Sequence, residues 1–90
     1  MTLDIDLLKK KILYRSNYRG TKEMDKLLGS FTKKYVNILN LKDLTDLEKL
    51  LDIDDTNLYN YYNGSDCDFE FKDNYINSLF KNFEYDSEKN

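Results

Sequence analysis

Ninety residues, of which 40% are hydrophobic and 34% charged, suffice for one globular domain with a modest core and argue against a wholly disordered chain. The net charge of −3 argues against general nucleic-acid binding, which needs a basic footprint. No apolar run approaches the roughly 20 residues that span a membrane. The single cysteine, Cys67, permits no internal disulfide.

Apolar periodicity predicts two helices in the first half of the chain. Ile5, Leu8 and Ile12 recur at helical spacing and predict a first helix over about residues 4–17. The next run is a single apolar stripe, which predicts a second helix over about residues 21–38. Its members are Met24, Leu27, Leu28, Phe31, Tyr35 and Ile38. Gly29 lies within this helix, where it is expected to permit a close helix crossing.

A capping box predicts the start of the third helix. Thr45 stands three residues before Glu48, the spacing at which the two side chains satisfy each other's backbone N–H groups. With the leucines that follow, this pattern predicts a short helix over about residues 46–52.

Caps also delimit the last two predicted helices. Asp54 or Asp55 is expected to cap a fourth helix, and Gly64 to end it. Asp73 is expected to cap a fifth helix, and the tail at about residues 85–90 is expected to fray.

Together these elements predict an all-α fold, a five-helix bundle that forms a single domain over residues 1–90. One weak competing signal is the alternation of Phe69 and Phe71 with acidic residues, which is typical of a strand.

The side chains needed for catalysis are scarce. The chain has no His, so it offers no His base and no His metal ligand, and one Cys cannot build a zinc site. No phosphate-binding glycine motif occurs, and the acidic clusters do not fit a calcium loop. The sequence therefore argues against an enzyme and against a metal site.

The segment around the predicted corner between the first two helices is the most specific feature. Both arginines of the chain, Arg15 and Arg19, lie here, followed by Gly20, Glu23 and Asp25. One interpretation is that the planar guanidinium groups bind carboxylates of a partner protein. The other is an intramolecular clamp between Arg19 and Glu23 on a tight turn.

Two further surfaces allow two interpretations each. The lysines at 9–11 are either a solvated helix face or one edge of a docking surface for an acidic partner. Tyr61 and Tyr62 are expected in the core, whereas Tyr59 is as easily part of a second contact surface.

The corner segment also resembles a known family. YRGTKEMDKLLGSF is similar to the R-G-x-x-E-x-D signature of the succinate dehydrogenase assembly factor 2 family, whose bacterial members are called FAD assembly factors. DLEKLLDIDDTNLYNYYNG resembles the family's second block, and the two blocks stand in the family's order. Three positions depart from the pattern: Tyr18 stands where a basic residue or His is common, Thr56 where Pro is frequent, and Tyr61 where Trp is usual.

The resemblance implies a five-helix fold and a role without catalysis of its own. Family members assist covalent attachment of FAD to a histidine of the flavoprotein subunit of succinate dehydrogenase, and some act on fumarate reductase. The FAD belongs to that client, so no cofactor is expected on this chain. By the resemblance Arg15, Arg19 and Gly20 would contact the client, Glu23 would either contact it or orient Arg19, and Asp25 would either contact it or brace the corner.

The first residues lack the pattern of a secretory or transit signal, which favours a bacterial cytoplasm over a mitochondrial matrix. We expect a monomer that binds one client protein, with no nucleic acid and no insertion into a membrane. An alternative is an antitoxin-like regulatory module that binds another protein.

Overall fold

The computed structural model describes residues 4–84 and contains five α-helices within them. They are α1 (Ile5–Asn17), α2 (Lys22–Tyr35), α3 (Leu41–Leu51), α4 (Asp55–Tyr62) and α5 (Tyr75–Lys81). The described residues include no strand, so the predicted all-α bundle of five helices is confirmed and the strand signal around Phe69 and Phe71 was misleading. The predicted frayed tail at about residues 85–90 lies outside the described residues.

A glycine and two buried hydroxyl groups join α1 to α2. The Ser16 hydroxyl donates to the Ile12 carbonyl at 2.8 Å and lies 2.6 Å from the hydroxyl of Thr32. A Cβ placed on Gly29 would collide with the side chain of Asn17. As Asn17 is placed, its side chain occupies the space that a Cβ at position 29 would need, so Gly29 lies at a contact between α1 and α2.

The second helix ends earlier than its apolar stripe predicts. α2 stops at Tyr35, and residues 36–38 form a turn instead of the predicted last helical turn. Val36 in this turn and Leu39 directly after it are buried, whereas Ile38 is exposed. Ile38 therefore kept the helical spacing of the stripe in the sequence, but the chain leaves the helix before it and buries Val36 and Leu39 instead.

The third helix begins five residues before the predicted start. Asn40 is its N-cap, and the Asn40 side chain accepts a hydrogen bond from the Asp43 backbone N–H at 2.9 Å. Thr45, predicted as the cap, lies inside the helix and donates to the Leu41 carbonyl at 2.9 Å. The earlier start adds Leu44 to the buried face, so burial outweighs the capping box.

The caps of the last two helices were partly predicted. Asp54 caps α4, and Gly64 follows it with φ +75°, a backbone conformation that glycine adopts readily. Asn74, not the predicted Asp73, caps α5. Asn74 supplies the same kind of oxygen as Asp73 does, so the sequence alone did not distinguish the two neighbours.

One hydrophobic core joins all five helices. Phe31 of α2 is fully buried, and its ring centroid lies 5.4 Å from those of Phe80 and Phe83. Tyr61 and Tyr62 pack against this core, as expected, and Tyr59 is exposed. Three phenylalanine rings therefore meet in the core, whose other buried side chains are mostly leucines.

Candidate functional site

The corner, residues 18–21, connects α1 to α2. Tyr18 is the C-cap of α1, and Thr21 is the N-cap of α2, where the Thr21 hydroxyl accepts the Met24 backbone N–H at 3.2 Å. Between them Gly20 has φ +125°, which L-residues with side chains rarely adopt. A glycine is therefore needed here for the backbone path. Space is not the constraint, because a Cβ placed on Gly20 would lie an ordinary 3.9 Å from the nearest atom, a carboxylate oxygen of Asp55.

The guanidinium of Arg19 is bound inside the protein. Nε donates to a carboxylate oxygen of Asp55 at 2.9 Å, Nη1 to the Leu51 carbonyl at 2.6 Å, and Nη2 to the Ile53 carbonyl at 2.7 Å. The Arg19 side chain is only 10% exposed. Every nitrogen of the fork thus has an acceptor from the segment that links α3 to α4, which we call the α3–α4 link (residues 51–55).

This orientation corrects the expectation that Arg19 points outward to a partner. Leu51 is the last residue of α3, so its carbonyl has no helical partner and is open to another donor. Together with the Ile53 carbonyl and the Asp55 carboxylate it matches the planar donor fork of arginine. The alternative clamp between Arg19 and Glu23 is also wrong in its partner, because Asp55 is the carboxylate that pairs with Arg19.

Two more contacts fix the corner and the end of α1 to their surroundings. The Asp25 carboxylate accepts the Arg19 backbone N–H, which is the bracing role considered for Asp25. Arg15 pairs with Asp52 at 2.5 Å, and Asp52 is 66% exposed. Both arginines therefore bond to the α3–α4 link, Arg19 from a buried position and Arg15 at the surface.

Gly20 and Glu23 remain open to a partner. Both are exposed, and Glu23 lies on the first turn of α2. Glu23 and Tyr59 line two adjoining grooves between α2 and α4, of about 420 and 280 Å³. Lys22, Lys26 and Asn63 border the larger groove, which gives this surface both charges and an aromatic ring.

The pKa of Asp54, the N-cap of α4, is shifted by hydrogen bonds. The Asn57 side chain and backbone both donate to the Asp54 carboxylate, at 2.7 Å and 3.3 Å. These hydrogen bonds, the side-chain one first, lower the pKa of Asp54 below its ordinary value of 3.8. The cap of the helix that carries Asp55 toward Arg19 therefore stays charged to a lower pH than an ordinary aspartate does.

Within residues 4–84 no group of three or more Cys, Asp or Glu is placed to hold a metal ion. No helix in that range is long and apolar enough to cross a bilayer. The geometry at the corner offers a rigid surface with exposed polar and aromatic groups, which suits recognition of another protein.

Comparison with known proteins identifies the family. The family model described as flavinator of succinate dehydrogenase matches residues 10–84, which include the corner, the α3–α4 link and all of α2 to α5. This chain belongs to the flavinator family. The family resemblance stated from the two sequence blocks is thereby confirmed.

The curated relatives are named as assembly factors in both bacteria and eukaryotes. The mitochondrial succinate dehydrogenase assembly factor 2 of Lodderomyces elongisporus is 38% identical over 55 residues, which are 61% of this chain and 34% of that protein. Its counterpart from Dictyostelium discoideum is 40% identical over 58 residues, 64% of this chain and 41% of that protein. The FAD assembly factor SdhE of Acetobacter pasteurianus is 32% identical over 56 residues, 62% and 51% of the two chains.

The matched part of the chain thus covers between about a third and a half of these relatives. No solved structure shows a significant match.

The sequence analysis of this flavinator-family chain did not predict that Asp55 is the partner of Arg19. The one signal for this role was that Asp55 lies in the second block of the family pattern. That signal did not indicate that Asp55 contacts the first block.

Proposed function

We propose that this chain is an assembly factor that binds the flavoprotein subunit of succinate dehydrogenase and promotes covalent attachment of FAD to it. The observation that carries the proposal is the match of the flavinator family model over residues 10–84. The names of the relatives support it, since they are succinate dehydrogenase assembly factors and a FAD assembly factor. Fumarate reductase is a second client within the same proposal.

The role proposed for the chain is positioning rather than chemistry. The flavin and the histidine that receives it belong to the client, and this chain contains no His of its own. Holding two reacting groups in the right geometry can remove several kcal/mol of barrier without any donated catalytic group. Under this proposal the chain is not an enzyme and has no resident cofactor.

The corner supports this role through its rigidity. Arg19 ties it to the α3–α4 link by three hydrogen bonds, and Asp25 holds the Arg19 backbone. Gly20 and Glu23 are then presented at fixed positions, so docking costs little conformational entropy. Arg19, Arg15 and Asp25 act as positioning residues, and Gly20, Glu23 and Tyr59 supply the contact surface.

The setting follows from the client. We place the chain where the flavoprotein subunit matures, with a bacterial cytoplasm as the first choice and a mitochondrial matrix as the second. One chain binds one flavoprotein subunit.

The test is the level of covalent flavin in cells that lack this chain. After denaturing electrophoresis the flavoprotein band should lose most of its flavin fluorescence, and a plasmid copy of the wild-type chain should restore it. Glu23→Lys, which changes an exposed side chain, should restore it poorly, whereas Tyr75→Ser on α5 should restore it fully.

Two results would overturn the proposal. One is full covalent flavinylation in cells without the chain. The other is affinity capture that recovers a toxin as the main partner and no flavoprotein subunit, which would favour the antitoxin-like alternative.

A further inference from the structure

The outward face of α1 carries an apolar stripe that the described part of the chain leaves uncovered. Leu7, Tyr14 and Tyr18 are 63%, 66% and 70% exposed. Their spacings of seven and four residues put them on one side of the helix. At 1.5 Å per residue the α1 stripe is about 16 Å long, which suits contact with an elongated element rather than with a loop tip.

The fold does not need this stripe for its own core. The opposite side of α1 already supplies Ile12 and Ser16, both fully buried, and Leu8 and Leu13 pack against the core from its flanks. An exposed row of large apolar side chains on one face is typical of a contact surface.

The two tyrosines of the α1 stripe are already arranged for contact. The rings of Tyr14 and Tyr18 have centroids 4.6 Å apart, so each restricts the other. Rigid aromatic pairs lose little entropy on binding, and their hydroxyl groups keep them hydrated while no partner is present.

The charges beside the α1 stripe indicate what would cover it. Lys11 pairs with Glu48 at 3.1 Å and Arg15 with Asp52 at 2.5 Å, both on the side toward α3. Lys10 is exposed on the other side, and among residues 4–84 it forms no ion pair. Along α1 and its caps, residues 4–18, four Lys and Arg stand against two Asp. An apolar surface that carries carboxylates would complement this face.

A second copy of this chain fits the α1 stripe poorly. If two such stripes packed together, the lysines of one copy, Lys10 and Lys11, would lie near those of the other. Like charges across an interface disfavour association.

We propose that the α1 stripe is a second docking surface for the flavoprotein subunit, and that it receives a helix with an apolar face and a carboxylate opposite Lys10. This inference rests on the proposed function. The stripe is continuous with the corner, because Tyr18 caps α1 and directly precedes Arg19. One continuous surface along α1 and across the corner would then orient the client as well as bind it.

The experiment measures the binding of purified flavoprotein subunit to variants of this chain by surface plasmon resonance. The double variant Tyr14→Ser with Tyr18→Ser should weaken Kd by about 30-fold or more, mainly through faster dissociation. Lys10→Glu should weaken Kd by about 3- to 10-fold through slower association, and this difference should shrink at high salt.

Matched controls are Tyr75→Ser, which removes a 59% exposed tyrosine of α5, and Lys72→Glu, which reverses an exposed lysine before α5. Both should leave Kd unchanged. Lys10→Glu and the single variant Leu7→Ser alter only exposed side chains, so circular dichroism should show an intact fold and a loss of binding would report the contact itself.

Equal binding by the wild type and the double tyrosine variant would overturn this inference and leave the proposed function standing. A second result would also overturn this inference. If the double tyrosine variant lost binding to phosphatidylserine vesicles but kept its binding to the subunit, the stripe would be assigned to a membrane surface. Absence of any wild-type binding would remove the proposed function and this inference with it.

Discussion

Arg19 is the residue on which the geometry of the site depends most. Its guanidinium donates to the Leu51 and Ile53 carbonyls and to the Asp55 carboxylate. It thus satisfies a carbonyl that the end of α3 leaves without a helical partner, and it neutralises the charge of Asp55 on α4. A residue that pointed at a partner would affect binding alone. Arg19 instead fixes the position of the corner relative to the α3–α4 link.

Replacing Arg19 is therefore expected to destabilise the fold. Arg19→Ala leaves one carboxylate and two carbonyls without their donor, and should lower the free energy of unfolding by about 2–4 kcal/mol. Arg19→Lys should recover only part of this loss, because one ammonium cannot match a planar three-acceptor site. Urea unfolding followed by circular dichroism measures both variants.

Arg15→Ala is the matched control for that experiment. Arg15 pairs with the exposed Asp52, and an ion pair at the surface contributes about 1 kcal/mol or less. Equal losses for the two arginine variants would contradict the distinction between a buried clamp and a surface pair.

Asp54 provides a pH-dependent test of the α4 cap. Hydrogen bonds from Asn57 lower the pKa of Asp54 in the folded state below 3.8, so the folded state binds its proton less readily than the unfolded state does. The cap therefore stabilises the fold above the unfolded-state pKa, and this contribution disappears as the pH falls through the folded-state value. NMR titration of the Asp54 carboxyl carbon should give a pKa below 3.8, and Asp54→Asn should reduce the acid sensitivity of α4. A pKa at or above 3.8 would contradict the cap.

At the residue scale the sequence singled out the segment in which Arg19 and Asp25 form their bonds, but it predicted only some of the contacts. It marked Arg19, Gly20 and Asp25 through their closeness along the chain. The partner of Arg19 could not be predicted by spacing, because Asp55 lies 36 residues away and backbone carbonyls leave no trace in a sequence.

At the scale of the helices, caps and burial compete for the boundaries. α4 begins at a predicted cap, whereas α3 begins at Asn40 and passes through the capping box at Thr45. The predicted box was overridden because the longer helix buries Leu44. Periodicity thus predicted the number and order of the helices better than it predicted where each begins.

This boundary can be tested by a pair of variants. Asn40→Ala removes the side-chain acceptor for the Asp43 N–H and should lower the free energy of unfolding by about 1 kcal/mol. Thr45→Ala removes an exposed hydroxyl from a helix interior and should change stability by less than about 0.5 kcal/mol. Thermal unfolding measures both, and a larger loss for Thr45→Ala would mean that α3 starts at the predicted capping box.

At the scale of the whole molecule, five helices pack around one core and bring two connecting segments together, the corner and the α3–α4 link. Arg19 of the corner and Arg15 of α1 both bond to the α3–α4 link, so residues far apart in sequence form one surface. The fold class was predictable because helical periods and caps recur along the chain. The surface formed by the corner and the α3–α4 link could be predicted only in part, because its contacts depend on how the helices pack.

Reconstitution of flavinylation from purified components tests the proposed role most directly. Apo flavoprotein subunit, FAD and this chain are mixed in equal amounts, and intact-mass spectrometry follows the covalent FAD adduct over time. We predict that the adduct forms much faster with the wild-type chain than without it, and more slowly with Arg19→Ala than with Arg15→Ala. Formation of the adduct at the same rate with and without the chain would contradict the proposed role.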